Sequence, residues 1–394
     1  MNRRTFLKGA GTATAVSAGA GTWYAYDRGV FSVGEGPAYE PWKDWRNGGA
    51  GEALALVRAA LLAASPHNTQ PWRFKVGGSF IELHIDRQRN VGALDPYLRE
   101  EHIGMGCALE NLLLAAPANG FAAATTLIPG KLSSLGDGPQ TELVARVELT
   151  EGKHGESELY RAIPQRHTNR SLYDPNKPLA ADFIEALNCL PTHDESVKLF
   201  LFTNEAVRKK IVELSSLANL QLYSDTHVEA ASERWIRLKW SDVQKFRDGL
   251  TIDAFGLSPI MSAIAKTLPT RVLSRIASQS QKEGYAERML TAPLMGFIAV
   301  RDRYNRAQCL QAGRIWQKAH LLATARGVAA RPSNEAMEMV DYERSLGRPA
   351  SFLDRLGEMT GDPTWQPTFA FLMGYPMLEA HASPRRPVGA VLDA

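Results

Sequence analysis

Gly106-Cys107-Ala108-Leu109-Glu110-Asn111-Leu112-Leu113-Leu114-Ala115-Ala116-Pro117-Ala118-Asn119-Gly120 returns in altered form as Gly313-Arg314-Ile315-Trp316-Gln317-Lys318-Ala319-His320-Leu321-Leu322-Ala323-Thr324-Ala325-Arg326-Gly327. Both glycine pairs stand 14 residues apart. Aligned on them, Leu109 meets Trp316, Leu112 meets Ala319, Leu114 meets Leu321 and Ala116 meets Ala323, a repeat of small and apolar positions at helical spacing. Each copy reads as a buried helix ended by a glycine cap. Pro117 interrupts the match, and chance likeness between two core helices is the competing reading.

Strand signals fall in corresponding places. Residues 73–76 and 80–85 alternate around Gly77-Gly78 as a hairpin, and residues 142–149 read as a further strand; residues 198–203 and 296–301 read similarly in the second half. Three residues join the first pair, whereas about ninety, residues 204–295, separate the second. That stretch is helical in pattern, with breaks at Gly256-Leu257-Ser258-Pro259 and Leu268-Pro269. It reads either as an extra helical layer or as a lid over a site.

The composition, 394 residues with 44% apolar and 22% charged, is that of a globular chain able to bury one large core or two smaller ones. A net charge of +3, with basic residues scattered among acids, offers no phosphate-tracking surface and excludes nucleic acid as a partner. Cys107, Cys189 and Cys309 form no Cys-x-x-Cys, and no His pair stands at helical ligand spacing, so neither a metal site nor a disulfide framework is indicated. Asn2-Arg3-Arg4-Thr5-Phe6-Leu7-Lys8 precedes a Gly/Ala-rich stretch running to Tyr26, and residues 1–26 look like a twin-arginine export signal; a disordered basic start is the alternative. The expected location is therefore periplasmic or otherwise exported. Ala18-Gly19-Ala20 is a passable cleavage site, while Trp23, Tyr24 and Tyr26 suit an uncleaved anchor at a membrane interface. Residues 27–50, rich in Gly, Pro and aromatics, read as a linker.

Four stretches carry candidate chemistry. Ser65-Pro66-His67-Asn68-Thr69-Gln70-Pro71-Trp72 is a proline-stiffened loop of amide and imidazole groups suited to a flat heteroaromatic ligand; an ordinary helix-to-strand connection has the same spacing. In Arg166-His167-Thr168-Asn169-Arg170, two guanidinium groups flank a hydroxyl at alternate positions, a good anion seat that a surface turn could equally produce. Arg331-Pro332-Ser333-Asn334 follows the second repeated helix, and Arg385-Arg386 stands near the C-terminus.

Together these residues resemble the nitroreductase-fold flavoproteins, specifically the Acg type in which two nitroreductase-like halves share one chain. Residues 65–72 are similar to the family's Pro-Ser-x-x-Asn-x-Gln-Pro-Trp segment, Arg166-x-Thr168-x-Arg170 to its Arg-x-Ser-x-Arg/Lys, and residues 313–332 to its long helix and following loop; the resemblance covers about residues 50–390. It implies an α+β fold of two pseudo-symmetric halves, residues 51–155 and 156–394, each an antiparallel sheet flanked by helices, with residues 204–295 inserted in the second. The loop motif occurs only in the first half and the arginine motif only in the second, which implies one FMN site per chain and a monomer built as an internal pseudo-dimer. Arg166 and Thr168 would hold the FMN phosphate with Arg385 or Arg386, and Arg170 would lie near the N1/O2 edge of the ring. Ser65, His67, Asn68 and Gln70 would reach the flavin from the first half, and Pro332 and Ser333 would line its far edge. The implied activity is electron transfer from a small-molecule reductant to a quinone or nitro-aromatic, with a flavin-sequestering protein as the alternative. Thr168 in place of Ser, His67 in place of a small polar residue and the large insertion depart from the family pattern.

Overall fold

A computed structural model describes residues 22–47, 52–190, 194–269, 271–273, 276, 279 and 284–393. The alternation of Trp72 and Phe74, both buried, with outward Arg73 and Lys75 makes residues 72–76 a half-buried strand, β1 (Trp72–Val76), which pairs antiparallel with β2 (Phe80–Asp86) across the Gly77-Gly78 turn. β3 (Phe121–Leu127) and β4 (Thr141–Glu151) complete an antiparallel sheet of order β1-β2-β4-β3. The second half opens with β5 (Val197–Phe202), and inside the insertion β6 (Ile236–Arg237) and β7 (Leu250–Thr251) form a short parallel pair. β8 (Leu294–Val300), β9 (Ala329–Pro332) and β10 (Gln366–Gly374) then build a second antiparallel sheet with β5, of order β5-β8-β10-β9. The two sheets share one connectivity: two neighbouring strands, a long helix, an edge strand, and a last strand inserted beside it. The fold is α+β with two pseudo-symmetric halves, as expected.

The halves meet through their long helices, Arg99–Ala118 and Arg306–Ala325, each of 20 residues and each packed on its own sheet. Their crossing point is the aligned glycine pair. A Cβ on Gly106 would stand 2.0 Å from the Leu310 carbonyl oxygen, and one on Gly313 would stand 1.9 Å from that of Ile103. Each glycine thus faces the residue three positions before the other, the reciprocity of a pseudo-twofold contact. Gly120 and Gly327, just beyond the two helix ends, both have positive φ (80° and 66°), as the cap reading requires.

The strands expected at residues 73–76, 80–85, 142–149, 198–203 and 296–301 are present with small shifts at their ends. β3, β9 and β10 lie outside that reading. β3 is alanine-rich, β9 spans four residues, and β10 is buried on both faces, so an unbroken apolar run replaces alternation.

Residues 27–47 are not a linker. Tyr39, Trp42 and Trp45 are buried, a short helix spans Glu40–Asp44, and the segment packs on the second half, with Trp42 against His167 and Trp45 against Tyr160. Three large aromatics in so short a stretch bury enough apolar area to hold it against the body. At the other end, the Phe74 N–H donates to the Val391 carbonyl and the Asp393 N–H to the Phe74 carbonyl, each at 2.8 Å, so the C-terminal tail runs beside β1. The twin-arginine motif, within residues 1–21, lies outside the described residues. Among the described residues no helix is long and apolar enough to cross a membrane.

Candidate functional site

The loop after the Ala53–Ala60 helix is held in an unusual backbone state. His67, Asn68 and Gln70 all have positive φ (45°, 57° and 52°), a conformation that costs non-glycine residues energy and persists only where surrounding bonds enforce it. Those bonds are visible. The Gln70 N–H donates to Ser65 Oγ at 3.1 Å, Asn68 Nδ2 donates to the carbonyls of Gly249 (3.1 Å) and Pro384 (2.9 Å), and Gln70 Nε2 donates to the carbonyl of Arg247 (2.9 Å). Gln70 Oε1 accepts from the Arg386 N–H at 2.8 Å, and Asn68 Oδ1 accepts from Arg385 at 2.6 Å. The two amides therefore brace the loop to the insertion and to the C-terminal tail, and their capacity is taken up by protein groups instead of being held out for a ring. His67 Nε2 lies 3.0 Å from Ser232 Oγ of the insertion, and burial, reinforced by Arg170, pushes its pKa down to about 4.

The tail brings Arg385 beside Arg166. Arg166 donates to the Leu62 carbonyl (3.1 Å) and Arg385 to the neighbouring Ala63 carbonyl (3.1 Å), so both guanidiniums hang from one turn. Trp42 packs against both, its ring centroid 4.6 Å from the Arg385 guanidinium carbon and 6.0 Å from that of Arg166, while its indole N–H donates to the Ser383 carbonyl at 2.7 Å. Arg166 also donates to His320 Nδ1 at 3.4 Å, which leaves the His320 Nε2 hydrogen to face the His167 carbonyl, 3.3 Å away. Both arginines are buried and neither forms an ion pair with a described residue. Burial lowers the Arg166 pKa to about 10 and that of Arg385 well below its usual value, in the latter case helped by Arg166. Nε of each arginine and Nδ1 of His167 are buried without a hydrogen-bond partner. Two uncompensated buried cations cost several kcal/mol unless an anion completes the site.

The opposite end differs in charge. Arg170 donates to the Ala254 carbonyl of the insertion at 3.3 Å, and burial followed by repulsion from Arg331 lowers its pKa to about 10. Here an acid is at hand, since Glu335 acts on Arg170 in the opposite sense and accepts from Ser333 Oγ at 3.2 Å. Ser333 is buried, 3.5 Å from the Tyr285 hydroxyl, and Pro332 pairs with Phe371 in the second sheet. Gly256 lies directly on the Arg170 backbone, where an added Cβ would come within 2.4 Å of its carbonyl carbon.

The structure thus brings Ser65, His67, Asn68 and Gln70 of the first half together with Arg166, Arg170, Arg385 and Arg386 of the second. Of the two tail arginines, Arg385 joins Arg166; Arg386 turns to the Gln70 carbonyl and lies among Arg89, Asp86 and Asp248. Thr168 is half-buried on the same segment as Arg166. Trp42, His167 and His320 join this cluster without having been singled out in the sequence, and the aromatic density of residues 39–45 was the available signal for the first.

No family model matches the chain. An uncharacterised protein of Mycobacterium tuberculosis is 30% identical over 191 residues, which cover 46% of this chain and 52% of that protein. Two proteins of the same organism, "Putative NAD(P)H nitroreductase Rv3131" and "Putative NAD(P)H nitroreductase acg", are 31% identical over 123 residues (30% of this chain, 33% of the relative) and 33% identical over 75 residues (19% and 23%). The chain spans about half, or less, of the length of these curated relatives. Among solved structures, the FMN-dependent nitroreductase NfnB of Mycobacterium smegmatis in complex with NADPH is 14% identical with a TM-score of 0.36, covering 60% of this chain and 97% of its own. The FMN- and NADPH-dependent NfnB of a Sphingopyxis strain is 15% identical with a TM-score of 0.38, covering 60% and 98%. The sequence relatives named here that carry an activity in their names are thus described as nitroreductases.

Proposed function

We propose that the chain is an FMN-dependent oxidoreductase of the nitroreductase kind, passing electrons from a small-molecule reductant to a quinone or nitro-aromatic acceptor. The observation that carries this reading is the acid-free pair Arg166 and Arg385, buried together with Nε atoms lacking partners. A phosphate dianion supplies both the missing charge and the missing acceptors. Arg166 and Arg385 would hold the FMN phosphate, with Thr168 beside them, and Trp42 would cover both guanidiniums and shut out water. His320, held neutral by burial, orients Arg166 without adding charge. Arg170 would place its cation at the ring, where negative charge grows on reduction. The bound flavin would supply the two-electron chemistry itself. In this reading Asn68 and Gln70 serve the site by bracing the walls that enclose it.

A second reading, a flavin-sequestering protein with little turnover, is favoured by those same braces, because the insertion is tied to the loop through Arg247 and Gly249 and to Arg170 through Ala254. The FMN-loaded protein, reduced anaerobically and mixed with a quinone, separates the two. Repeated turnover is the result expected of the oxidoreductase; retention of FMN without turnover would establish the sequestering protein, and failure to bind FMN would contradict both.

A further inference from the structure

A second group of cations gathers at the Arg170 end. The Asn169 N–H donates to the Ala330 carbonyl at 3.2 Å, so the 166–170 segment runs beside β9 and sets Arg170 close enough to Arg331 for the two to repel each other. The Tyr173 hydroxyl senses both arginines and donates to the carbonyl of Leu372 at 3.2 Å, the residue that pairs with Arg331 across the β9–β10 ladder. The insertion completes the group through its Tyr285–Leu290 helix, whose Arg288 is also repelled by Arg331.

Three guanidiniums meet two carboxylates here. Glu335 acts on Arg170 and Glu287 on Arg288, each favouring the charged arginine. Arg331 is the cation in excess. It is half-buried, its Nε is buried without a hydrogen-bond partner, and among the described residues no carboxylate stands within ion-pair distance of its guanidinium. The neighbouring hydroxyls are committed elsewhere, Tyr173 to Leu372 and Ser333 to Glu335. A sheltered cation with an unused N–H is unfavourable by itself and favourable once an anionic acceptor reaches it.

We propose that Arg331 is a second anion seat, at the ring end of the flavin site, and that the small molecule exchanging electrons there carries a carboxylate, sulfonate or phosphate group. The inference rests on the flavin reading, in which Arg170 lies at the ring and the FMN phosphate is held at Arg166 and Arg385. A neutral quinone or nitro-aromatic leaves the excess cation unexplained. An anionic group on the substrate supplies both the charge and the acceptor that Arg331 lacks, and its pairing there discriminates against uncharged analogues.

The test is equilibrium titration of naphthoquinone, naphthoquinone sulfonate and NADPH into the full chain, followed by tryptophan fluorescence. Flavin-free and FMN-loaded proteins are both titrated, so failure to take up FMN counts against the flavin reading while the charge preference is still measured. The wild type is expected to bind at least one of the two anionic probes through Arg331, with an affinity that falls as salt is added. Arg331→Gln should weaken that probe about tenfold and leave the neutral quinone unchanged, and Arg331→Lys should recover most of the loss because it returns the charge. Unchanged circular dichroism spectra would show that both variants remain folded. Loss confined to the sulfonate places the anion on the electron acceptor, and loss confined to NADPH places it on the reductant; either supports the seat. Affinities for both anionic probes that Arg331→Gln leaves unaltered would overturn it. So would a tenfold fall in FMN affinity in Arg331→Gln with the affinities of the anionic probes unaltered, which would assign Arg331 to the flavin itself.

Discussion

Arg166 and Arg385 differ from most buried arginines of this protein in lacking an acid. Arg99 and Arg303 are buried as completely, yet both pair with Asp341, at 2.6 and 3.1 Å. In the proposed function, that contrast separates cations placed for structure from cations placed for a ligand. Around Arg99 the balance reverses, because Glu100, Glu335 and Asp95 crowd Glu338, and burial together with these neighbours holds its pKa well above the usual carboxylate range. A carboxyl whose folded-state pKa is raised contributes stability that is complete below the unfolded pKa and lost as pH rises through the folded one. Glutamine copies the protonated form and cannot ionise. Glu338→Gln should therefore match the wild type in urea unfolding near about pH 4 and exceed it by about 1–2 kcal/mol near about pH 8; equal stability at both pH values would count against a strained carboxyl there.

Among the elements, the long-helix crossing and the 65–70 loop make the most specific demands. Because the atoms facing Gly106 and Gly313 are backbone carbonyls, no side chain can rotate away from an added methyl group. Gly313→Ala should cost about 3 kcal/mol or more in denaturant unfolding by forcing the helices apart, more than ordinary overpacking against flexible side chains. The repeat of two buried, glycine-capped helices was legible in the sequence, but not that Gly106 and Gly313 mark their crossing, because the partner atoms are backbone carbonyls of the other copy. The partners of Asn68 and Gln70 were not legible either, because Gly249, Pro384 and Arg386 lie far along the chain and offer mainly backbone groups, which leave no mark in residue type. Trp42 escaped for a related reason: its stretch reads as linker by its glycines and prolines, and only the fold shows what its aromatics cover. Removing a brace tests the loop's role. Asn68→Ala should loosen the insertion, raising proteolytic cleavage within residues 204–295 and speeding FMN release several-fold; unchanged rates of both would show that the insertion is held elsewhere.

For the whole molecule, the duplicated connectivity puts the contact between halves inside a single chain. The surface that such halves bury against each other is already covered, and the C-terminal tail crosses from the second half to lie beside β1. Light scattering should find a monomer, and the flavin content should be one per chain; two flavins per chain would contradict a site assembled once from unlike halves. The central claim is that this one site is completed by a phosphate group at Arg166 and Arg385. It is tested most directly by calorimetric titration of FMN into flavin-free wild-type protein and into Arg166→Ala. One FMN per chain is predicted for the wild type, with affinity weakened at least about tenfold in the variant, the effect of removing a charge-assisted contact of about 1.5–3 kcal/mol. Equal affinity in the two proteins would contradict the assignment.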